Sequence, residues 1–305
     1  MLDLAPYGID SQGRDHAPAR QTLLVVYAHP DDESFGNAGT LARYSAQGVA
    51  VHYACATRGE CGTVDPRFLQ GHDDIAALRT AELTCAAAAL DLRAVHYLGY
   101  RDSGMPGAPD NSHPDALVAA PPARVTGQVV ALIRALRPQV VLTFGPYGGY
   151  GHPDHIRIHE VTLAAFRQAA DATCYPEQVA AGLAPWRPRK LYYSAFSPGV
   201  LRVALVIMRL LRRDTRHFGE NGDIDLERAV AESTAISTKI DCGAYLPAIE
   251  RAMRCHASQL GGMSGMLRLP RPLLRLLRGN ETFTRVVPPA RRRRIERDLF
   301  AGLRR

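Results

Sequence analysis

The sequence predicts an α/β fold, Rossmann-like, in which a mostly parallel sheet carries helices on both faces and a helical C-terminal portion follows. The first observation is that short apolar runs alternate with alanine- and leucine-rich helical stretches, which is typical of a parallel sheet buried on both faces. The second is that polar clusters rich in His and Asp directly follow two of these runs. The strands are predicted near 23–28, 49–56, 94–98, 139–145 and 190–196.

The helices that alternate with these strands are predicted near 36–47, 73–91, 121–137 and 154–170. Gly48 follows the first helix and Pro138 lies just past the third, where helices commonly stop. Asp154 stands where an N-cap would begin the fourth. Two segments rich in Gly, Pro, Asp and Asn, 57–72 and 99–120, directly follow predicted strands. We expect them to form loops over the edge of the sheet where α/β proteins place their ligands.

The chain is predicted to have three parts. Residues 1–20 are polar and form a flexible lead-in, residues 21–198 form the Rossmann-like catalytic domain, and residues 199–305 form a helical portion packed on the same domain. Helices in the last part are predicted near 200–213, 225–238, 243–257 and 289–303.

Composition indicates an ordinary globular protein. The 305 residues are 46% hydrophobic and 22% charged, which is enough apolar sequence to bury a large core. The formal net charge of +7 comes from arginine, since Lys190 and Lys239 are the only lysines. An anionic partner, such as nucleic acid or a membrane surface, would use features like the arginine run at 291–294. A solvated arginine-rich surface is the interpretation we prefer.

The cysteines and the lack of targeting signals indicate a cytoplasmic protein. The six cysteines form no C-x-x-C pair and no compact framework, so we expect reduced, mostly structural thiols. Cys61 lies in the predicted loop 57–72 and is expected to be a plain loop cysteine rather than a redox-sensitive one. The best membrane candidate, 200–213, contains Arg202 and Arg209 and is shorter than the roughly 20 residues that a spanning helix needs.

Two clusters carry the chemistry. His29-Pro30-Asp31-Asp32-Glu33 follows the first predicted strand, and Gly151-His152-Pro153-Asp154-His155 follows the run at 140–144. The carboxyl ends of parallel strands meet at one edge of a sheet, so the two clusters are expected to lie together. Taken alone, each cluster could be a capped turn with histidines bonded to backbone. Two such clusters favour a catalytic metal site.

The residue types suit zinc. A catalytic zinc site keeps three protein ligands from His and carboxylate, and the ion lowers the pKa of water to about 7. His29, one aspartate of the first cluster and one histidine of the second would supply that set. The spare carboxylate could act as a general base and then a general acid, which is amide hydrolysis. A rival pairing is His155 with His159, four apart on one predicted helix, although His159 is better interpreted as helix surface or a supporting residue.

Other catalytic and cofactor signatures do not appear in the sequence. It contains no G-x-S-x-G nucleophile elbow, no Walker loop and no G-x-G-x-x-G dinucleotide motif. A Rossmann-like sheet is therefore expected without a Rossmann cofactor.

The motifs resemble the PIG-L/LmbE-like family of zinc-dependent N-acetylglucosaminyl deacetylases. The resemblance rests first on the two clusters and covers most of residues 22–285. Further blocks that resemble the family are Thr57-Arg58-Gly59-Glu60, Leu78-Arg79-Thr80-Ala81-Glu82-Leu83, Leu98-Gly99-Tyr100-Arg101-Asp102-Ser103-Gly104-Met105 and His256-Ala257-Ser258-Gln259.

The resemblance implies specific roles near the metal. It implies that His29, Asp32 and His155 bind zinc and that Asp31 is the general base. Two histidines with one carboxylate also suit Fe²⁺, so zinc is favoured by the chemistry and by the resemblance.

The resemblance also implies roles around the substrate. His152 is expected to stabilise the oxyanion or to assist the leaving amine, with Asp154 orienting and charging its imidazole. Tyr150 is expected to polarise the acetyl carbonyl, and Arg79 and Asp102 to hold sugar hydroxyls or phosphate-linked groups. For Arg79 a surface ion pair is the alternative, and for Asp102 a tight-turn role.

The hypothesis that follows is a cytoplasmic zinc deacetylase acting on a small N-acetylglucosamine-containing molecule. An amidase acting on a thiol conjugate or a natural-product amide is the alternative. Ser34-Phe35-Gly36-Asn37 stands where the thiol-conjugate amidases of the family place a lysine, which weakens that alternative. A non-catalytic protein that binds anionic lipid or nucleic acid is a third hypothesis, and the intact metal set argues against it. The sequence leaves the aglycone and a homo-oligomeric state open.

Overall fold

The computed structural model describes residues 8–9, 21–195, 205–206, 208–210, 212–218, 222, 224–290 and 295–303. One mixed sheet organises the fold within these residues. Its strands are β1 (Gly8–Ile9), β2 (Thr22–Tyr27), β3 (Ala50–Cys55), β4 (Ala94–Tyr97), β5 (Val140–Thr143), β6 (Lys190–Ala195), β7 (Thr238–Asp241) and β8 (Asn280–Val287).

The sheet has a parallel centre and antiparallel edges. The spatial order is β1-β4-β3-β2-β5-β6-β8-β7. The five strands from β4 to β6 pair in parallel, whereas β1 pairs antiparallel with β4, and β8 pairs antiparallel with both β6 and β7. The side chains of β2 from Leu23 to Tyr27 are almost completely buried. Burial on both faces explains why this strand is a continuous apolar run.

Helices connect the strands and cover the sheet. They are α1 (Asp32–Gly36), α2 (Ala38–Ala46), α3 (Ile75–Ala89), α4 (Pro122–Leu136), α5 (Pro153–Gln168), α6 (Pro176–Ala180), α7 (Leu226–Ala231), α8 (Leu246–Cys255) and α9 (Arg271–Arg278). Short 3-10 turns lie at Pro66–Leu69 and Pro109–Ser112, inside the two long loops. No helix of the described residues is long and apolar enough to cross a membrane.

The strand order creates a crevice between β2 and β5. After β2 the chain continues outward to β3 and β4, and then returns to place β5 on the other side of β2. Ligands of open α/β sheets bind at such a reversal, outside the carboxyl ends of the strands. The segments that leave β2 and β5 here are the two polar clusters, 29–33 and 151–155.

The predicted fold class and its central elements are confirmed. Each of the five predicted strands and four predicted helices up to residue 195 has a counterpart within a few residues of the expected position. Gly48 has a positive φ of 77° just after α2, as a glycine that ends a helix does. The N-cap of α5 differs from the prediction, since it is His152 rather than Asp154.

The C-terminal part contains more strand than predicted. The helix expected at 225–238 ends at Ala231, and residues 238–241 and 280–287 form β7 and β8. In both strands β-branched or aromatic residues are spaced between polar ones, so neither contains a strong apolar run. Residues 295–303 contain no helix, while Arg291, Arg292, Arg293 and Arg294 and parts of the helix expected at 200–213 lie outside the described residues.

A partly buried ionic network attaches the C-terminal segment to the sheet. Glu296 accepts hydrogen bonds from Lys190 (2.7 Å), Arg285 (3.0 Å) and the Tyr192 hydroxyl (2.6 Å). Because β8 also pairs along β6, the C-terminal part shares one sheet with the strands before residue 198.

The expectation that all cysteines are reduced is wrong for one pair. Cys85 of α3 and Cys255 at the end of α8 form a disulfide. Their separation of 170 residues explains why spacing did not reveal the pair. The described free cysteines are Cys55, Cys61, Cys174 and Cys242.

The N-terminus of α2 is capped from a distant strand. Asn37, its N-cap residue, makes no side-chain capping bond. Instead, the buried Glu281 of β8 accepts hydrogen bonds from the backbone N–H groups of Gly39 (2.9 Å) and Thr40 (2.8 Å).

We expect Glu281→Ala to lower the free energy of unfolding by about 1–3 kcal/mol, because two helical N–H groups would lose their acceptors. Glu281→Gln is the matched control, since it keeps one carbonyl oxygen and should lose less. Urea unfolding at neutral pH measures both variants. An alanine variant as stable as wild type would show that this contact does not hold α2.

A half-buried histidine pair lies on one face of β3 and β4. His52 Nδ1 lies 3.0 Å from His96 Nε2. Burial, together with the neighbouring imidazole, lowers the pKa of His52 to about 3, and burial lowers the pKa of His96 to about 4.

Acidification should therefore weaken the fold through this pair. Below about pH 6.5 the unfolded chain binds protons that the folded pair does not, so stability falls as pH falls toward 4. Between pH 7 and pH 5 the unfolding free energy of wild type should fall by roughly 1–2 kcal/mol for each histidine of this pair. The double variant His52→Gln/His96→Gln lacks both imidazoles, so its unfolding free energy should fall by that much less. Denaturant unfolding across this range tests the prediction. Equal pH dependence of the two proteins would refute it.

Candidate metal centre and active site

The crevice between β2 and β5 gathers the predicted site residues. His29 follows β2, Asp31 and Asp32 begin α1, and His152 and His155 begin α5. Three further predicted residues lie around these side chains. They are Asp154, also on α5, Asp102 in the loop after β4, and Arg79 on α3. All three, like the three histidines, are buried.

Three residues bring potential ligand atoms to one point. His29 Nδ1 lies 3.1 Å from His155 Nε2, and Asp32 Oδ1 lies 3.3 Å from the same nitrogen. The other oxygen of Asp32 lies 3.7 Å from His29 Nδ1. With metal–ligand bonds of about 2.0–2.1 Å in tetrahedral geometry, ligand atoms lie roughly 3.3 Å apart. The observed spacing therefore suits a small divalent cation.

The remaining ring nitrogens are held by acceptors. His155 Nδ1 lies 2.9 Å from the carbonyl oxygen of Gly148, so this nitrogen carries the proton and Nε2 keeps its lone pair. His29 Nε2 faces the carboxylates of Asp154 (3.2 Å) and Asp102 (3.4 Å). Ligating histidines commonly donate their outer N–H in this way. The inner nitrogens then face each other, and a proton or a cation must lie between them.

The charge balance of the crevice also favours a cation. Four carboxylates lie in the crevice with the histidines, those of Asp31, Asp32, Asp102 and Asp154. The Arg79 guanidinium pairs with one of them, Asp31. Buried carboxylates are costly unless they are paired or coordinate a metal. Asp154 Oδ1 is buried without a hydrogen-bond partner in the described part of the chain. The donor set therefore fits a metal ion.

Other ligand combinations are also close. The nitrogens of His29, His152 and His155 lie within 4.8 Å of one another, as do ligand atoms of a second set, His29, Asp102, His152 and Asp154. These combinations use His152, whose Nδ1 is already occupied by the N–H of Asp154 at 3.1 Å.

The electrostatics of the crevice favour a proton on His29. Burial alone would lower the pKa of His29, but the Asp102 carboxylate raises this pKa well above its ordinary value. Burial, with the neighbouring His29, lowers the pKa of His155 well below the ordinary value. The proton thus lies where a cation would bind.

Asp31 lies beside the proposed ligands in an unusual backbone conformation. It has φ 114° and ψ −26°, a left-handed conformation that side-chain-bearing residues rarely adopt. Its carboxylate accepts a 2.9 Å hydrogen bond from Arg79 Nη2. Burial raises the pKa of Asp31 to about 6, although the Arg79 guanidinium opposes the shift. Positive φ at a charged residue is a kind of strain that clusters at functional sites.

His152 accepts a hydrogen bond from the backbone. The Asp154 peptide N–H donates to His152 Nδ1, so a neutral His152 carries its proton on Nε2, which lies 3.9 Å from Asp102 Oδ1. Burial and His29 lower the pKa of His152 well below its ordinary value. The Asp154 carboxylate contacts His29 at 3.2 Å, although its charge still raises the pKa of His152. Its expected role in orienting and charging His152 stays a prediction. A neutral His152 can still donate from Nε2.

Tyr150 lies at the half-buried margin of the crevice. Its ring centroid is 5.0 Å from that of His155 and 6.1 Å from that of His152. Burial and the nearby Asp32 raise the pKa of Tyr150 well above its ordinary value, so the phenol keeps its proton.

Arg79 and Asp102 have internal partners. Arg79 Nη1 donates to the Gly59 carbonyl, and Nη2 donates to the carbonyl of Pro30 as well as to Asp31. It forms no ion pair with Glu82, which bonds to Ser258. Asp102 accepts from the Gly104 N–H at 2.9 Å, as the tight-turn alternative expected. Their predicted role in holding the substrate stays a prediction.

Cys61 and His159 lie outside the ligand cluster. Cys61 Sγ contacts the Asp102 carbonyl at 3.2 Å, and burial with the Asp102 charge raises the pKa of its thiol to about 12. His159 Nδ1 lies 3.0 Å from the carbonyl oxygen of Phe144, so the rival pairing with His155 does not form.

Two residues that were quoted only as parts of motifs are closely tied to the site. Glu33 accepts hydrogen bonds from the Asp31 N–H (3.0 Å) and from His256 Nε2 (2.6 Å). Both side chains are fully buried. Glu33 could have been found from its place in the first cluster, whereas His256 lies 223 residues away and no spacing links the two.

Comparison with known proteins identifies the family to which both clusters belong. The family model described as PIG-L, GlcNAc-PI de-N-acetylase, matches residues 24–166, which include both clusters. A relative from Thermobispora bispora named 1D-myo-inositol 2-acetamido-2-deoxy-alpha-D-glucopyranoside deacetylase is 36% identical over 309 residues, covering 93% of this chain and 99% of the relative.

Solved structures share the fold at low identity. The N,N'-diacetylchitobiose deacetylase from Pyrococcus horikoshii is 19% identical with a TM-score of 0.59, covering 87% of this chain and 83% of its own. GalB, a 4-carboxy-2-hydroxymuconate hydratase from Pseudomonas putida, is 18% identical with a TM-score of 0.56, covering 89% and 98%. The fold thus carries more than one reaction. The sequence relatives show that the chain belongs to the PIG-L family of de-N-acetylases.

Proposed function

We propose that this protein removes the acetyl group from an N-acetylglucosamine glycoside of inositol, releasing acetate and the free amino sugar. The relative that is 36% identical along nearly its whole length carries the name of that activity. The observation that carries the proposal is the convergence of His29 Nδ1, His155 Nε2 and Asp32 Oδ1 beside the spare carboxylate of Asp31. Metal-assisted hydrolysis of an amide uses such a ligand set with a proton acceptor next to it.

We assign His29, Asp32 and His155 as the metal ligands. The chemistry of two imidazoles and one carboxylate favours Zn²⁺, with Fe²⁺ as the other metal that suits this set. When bound, the ion would polarise the acetyl carbonyl and lower the pKa of water. Asp102 and Asp154 support this set by accepting the outer N–H of His29.

The proton transfers are assigned to Asp31. Its carboxylate would take the proton of the attacking water and return it to the nitrogen of the leaving amine. The Arg79 guanidinium, 2.9 Å away, fixes the position of this carboxylate. Arg79 is therefore proposed to act first as a support for Asp31, with contact to sugar or inositol hydroxyls as its second role.

The oxyanion that develops on the acetyl carbonyl needs donors. His152 can supply its Nε2–H without being charged, because its Nδ1 is occupied by the Asp154 N–H. The protonated phenol of Tyr150 is the second candidate. Donors aimed at developing charge typically contribute about 3–4 kcal/mol to catalysis. A small-molecule substrate is the partner that this crevice fits, and neither nucleic acid nor a membrane is required.

The substrate proposal is tested by acetate release. Metal-analysed protein should deacetylate GlcNAc-inositol faster than GlcNAc-malate or free GlcNAc. Chelation should abolish turnover, and zinc should restore it more fully than other divalent ions, because water activation depends on the bound ion. No acetate from fully metallated protein with any of these sugars would exclude the proposed activity.

The residue roles are tested by two aspartate variants with the same substitution. We expect Asp32→Asn to lose bound metal and activity together. Asp31→Asn should keep its metal and lose about 10²–10⁴-fold in kcat, because the proton acceptor is gone. Metal analysis of the purified variants, combined with acetate assays, distinguishes the two roles. The opposite result, an emptied site in the Asp31 variant and a filled one in the Asp32 variant, would reverse the assignment.

A further inference from the structure

The peptide bond between Pro30 and Asp31 is held at both of its polar ends. Its carbonyl oxygen accepts a hydrogen bond from Arg79 Nη2, and its N–H donates to Glu33 Oε2 at 3.0 Å. The orientation of this peptide plane sets the φ angle of Asp31, which is 114°. A residue with a Cβ would otherwise relax to negative φ. The two hydrogen bonds therefore hold the strained conformation.

Glu33 is held in turn by His256. The imidazole donates from Nε2 to Glu33 Oε1 at 2.6 Å, and neither side chain is exposed. The other carboxylate oxygen, Oε2, receives the Asp31 N–H, so one carboxylate links the histidine to the peptide. Ser34 also donates to Oε1 at 2.6 Å. Among the described residues within hydrogen-bond distance of this buried carboxylate, His256 is the one that can carry a positive charge. Removing the imidazole would remove that charge.

The segment that carries His256 is fixed against α3. Cys255 is disulfide-bonded to Cys85, and Ser258 donates its N–H and its hydroxyl to Glu82, each at 2.8 Å. Cys85 and Glu82 lie on the same helix as Arg79, at positions three apart. Helix α3 thus supports both ends of the Pro30–Asp31 peptide, directly through Arg79 and indirectly through the histidine.

We propose that His256 is a positioning residue for the general base, acting through Glu33 to hold the Pro30–Asp31 peptide in the orientation that directs the Asp31 carboxylate. The inference rests on the proposed function, in which Asp31 carries the proton. It adds a residue from the end of α8 that touches neither the metal ligands nor the proposed substrate crevice.

The experiment compares His256→Leu, His256→Gln and Glu33→Gln with wild type in acetate assays on GlcNAc-inositol. His256→Leu should lower kcat by about 10- to 100-fold, the scale of a small misplacement of a reacting group, with KM within twofold and full metal content. His256→Gln should recover most of kcat, because its amide N–H can replace Nε2. Glu33→Gln should lower kcat similarly, because its single carbonyl oxygen cannot replace the two carboxylate oxygens that accept from the Asp31 N–H and from His256 Nε2.

The matched control is His217→Gln, which removes an exposed histidine 2.9 Å from Asp214. This control should leave kcat, KM and metal content unchanged. A merely structural role for His256 would lower thermal stability while leaving kcat of the folded, metallated fraction at the wild-type value. That result would overturn the proposal.

A crystal structure of His256→Leu separates this inference from the proposed function. If wild type releases no acetate from the sugar panel, the proposed function fails, and the structure still tests the positioning role. We expect Asp31 to relax to negative φ and to leave hydrogen-bond distance of Arg79. Should that variant fail to fold, the structure of Glu33→Gln serves the same purpose. An unmoved Asp31 in the structure obtained contradicts the proposal.

Discussion

The constraint on which the rest of the site depends is the burial of several carboxylates where β2 and β5 end. Asp32, Asp102 and Asp154 all face His29 or His155, and their buried charges require cations or hydrogen-bond donors. Backbone N–H groups and the histidines supply these donors, whereas Arg79 contacts Asp31. The same charge distribution makes the crevice a site that could hold a cation, and it directs Nε2 of His29 toward Asp102 and Asp154. The inward nitrogen of His155 is set instead by the Gly148 carbonyl.

The hydrogen-bond pattern leaves different ring nitrogens available on His152 and His155 although the two side chains lie close together. A carbonyl oxygen at Nδ1 of His155 leaves Nε2 as a ligand, whereas a peptide N–H at Nδ1 of His152 leaves Nε2 as a donor. The two residues stand three apart at the beginning of α5, so the difference arises from local backbone geometry. The beginning of α5 therefore supplies both a candidate metal ligand and a candidate oxyanion donor.

The sequence predicted the central strands and the two clusters because both depend on local patterns. Residues 23–27 are continuously apolar, and His and Asp follow at once, so the element and its chemistry could be recognised together. The sequence did not predict β7 and β8, because their stability comes from pairing at the sheet edge rather than from an apolar run. It also missed the links of His256 to Glu33 and of Cys85 to Cys255, which join residues far apart in the chain. The hydrogen bond that His152 accepts was missed because it comes from one backbone N–H.

The disulfide between Cys85 and Cys255 gives the chain a closed loop that spans 170 residues of sequence separation. The second cluster lies inside this loop, whereas the first cluster lies in the N-terminal segment that precedes Cys85. In the unfolded chain the cross-link restricts His152 and His155 but leaves His29 and Asp32 unrestricted. The contact between His29 and His155 closes a further loop of 126 residues. The conformational entropy of this loop is lost when the N-terminal segment packs against the part of the chain that the disulfide closes. The proposed metal site would therefore also link the N-terminal segment of the chain to the part that the disulfide closes into a loop.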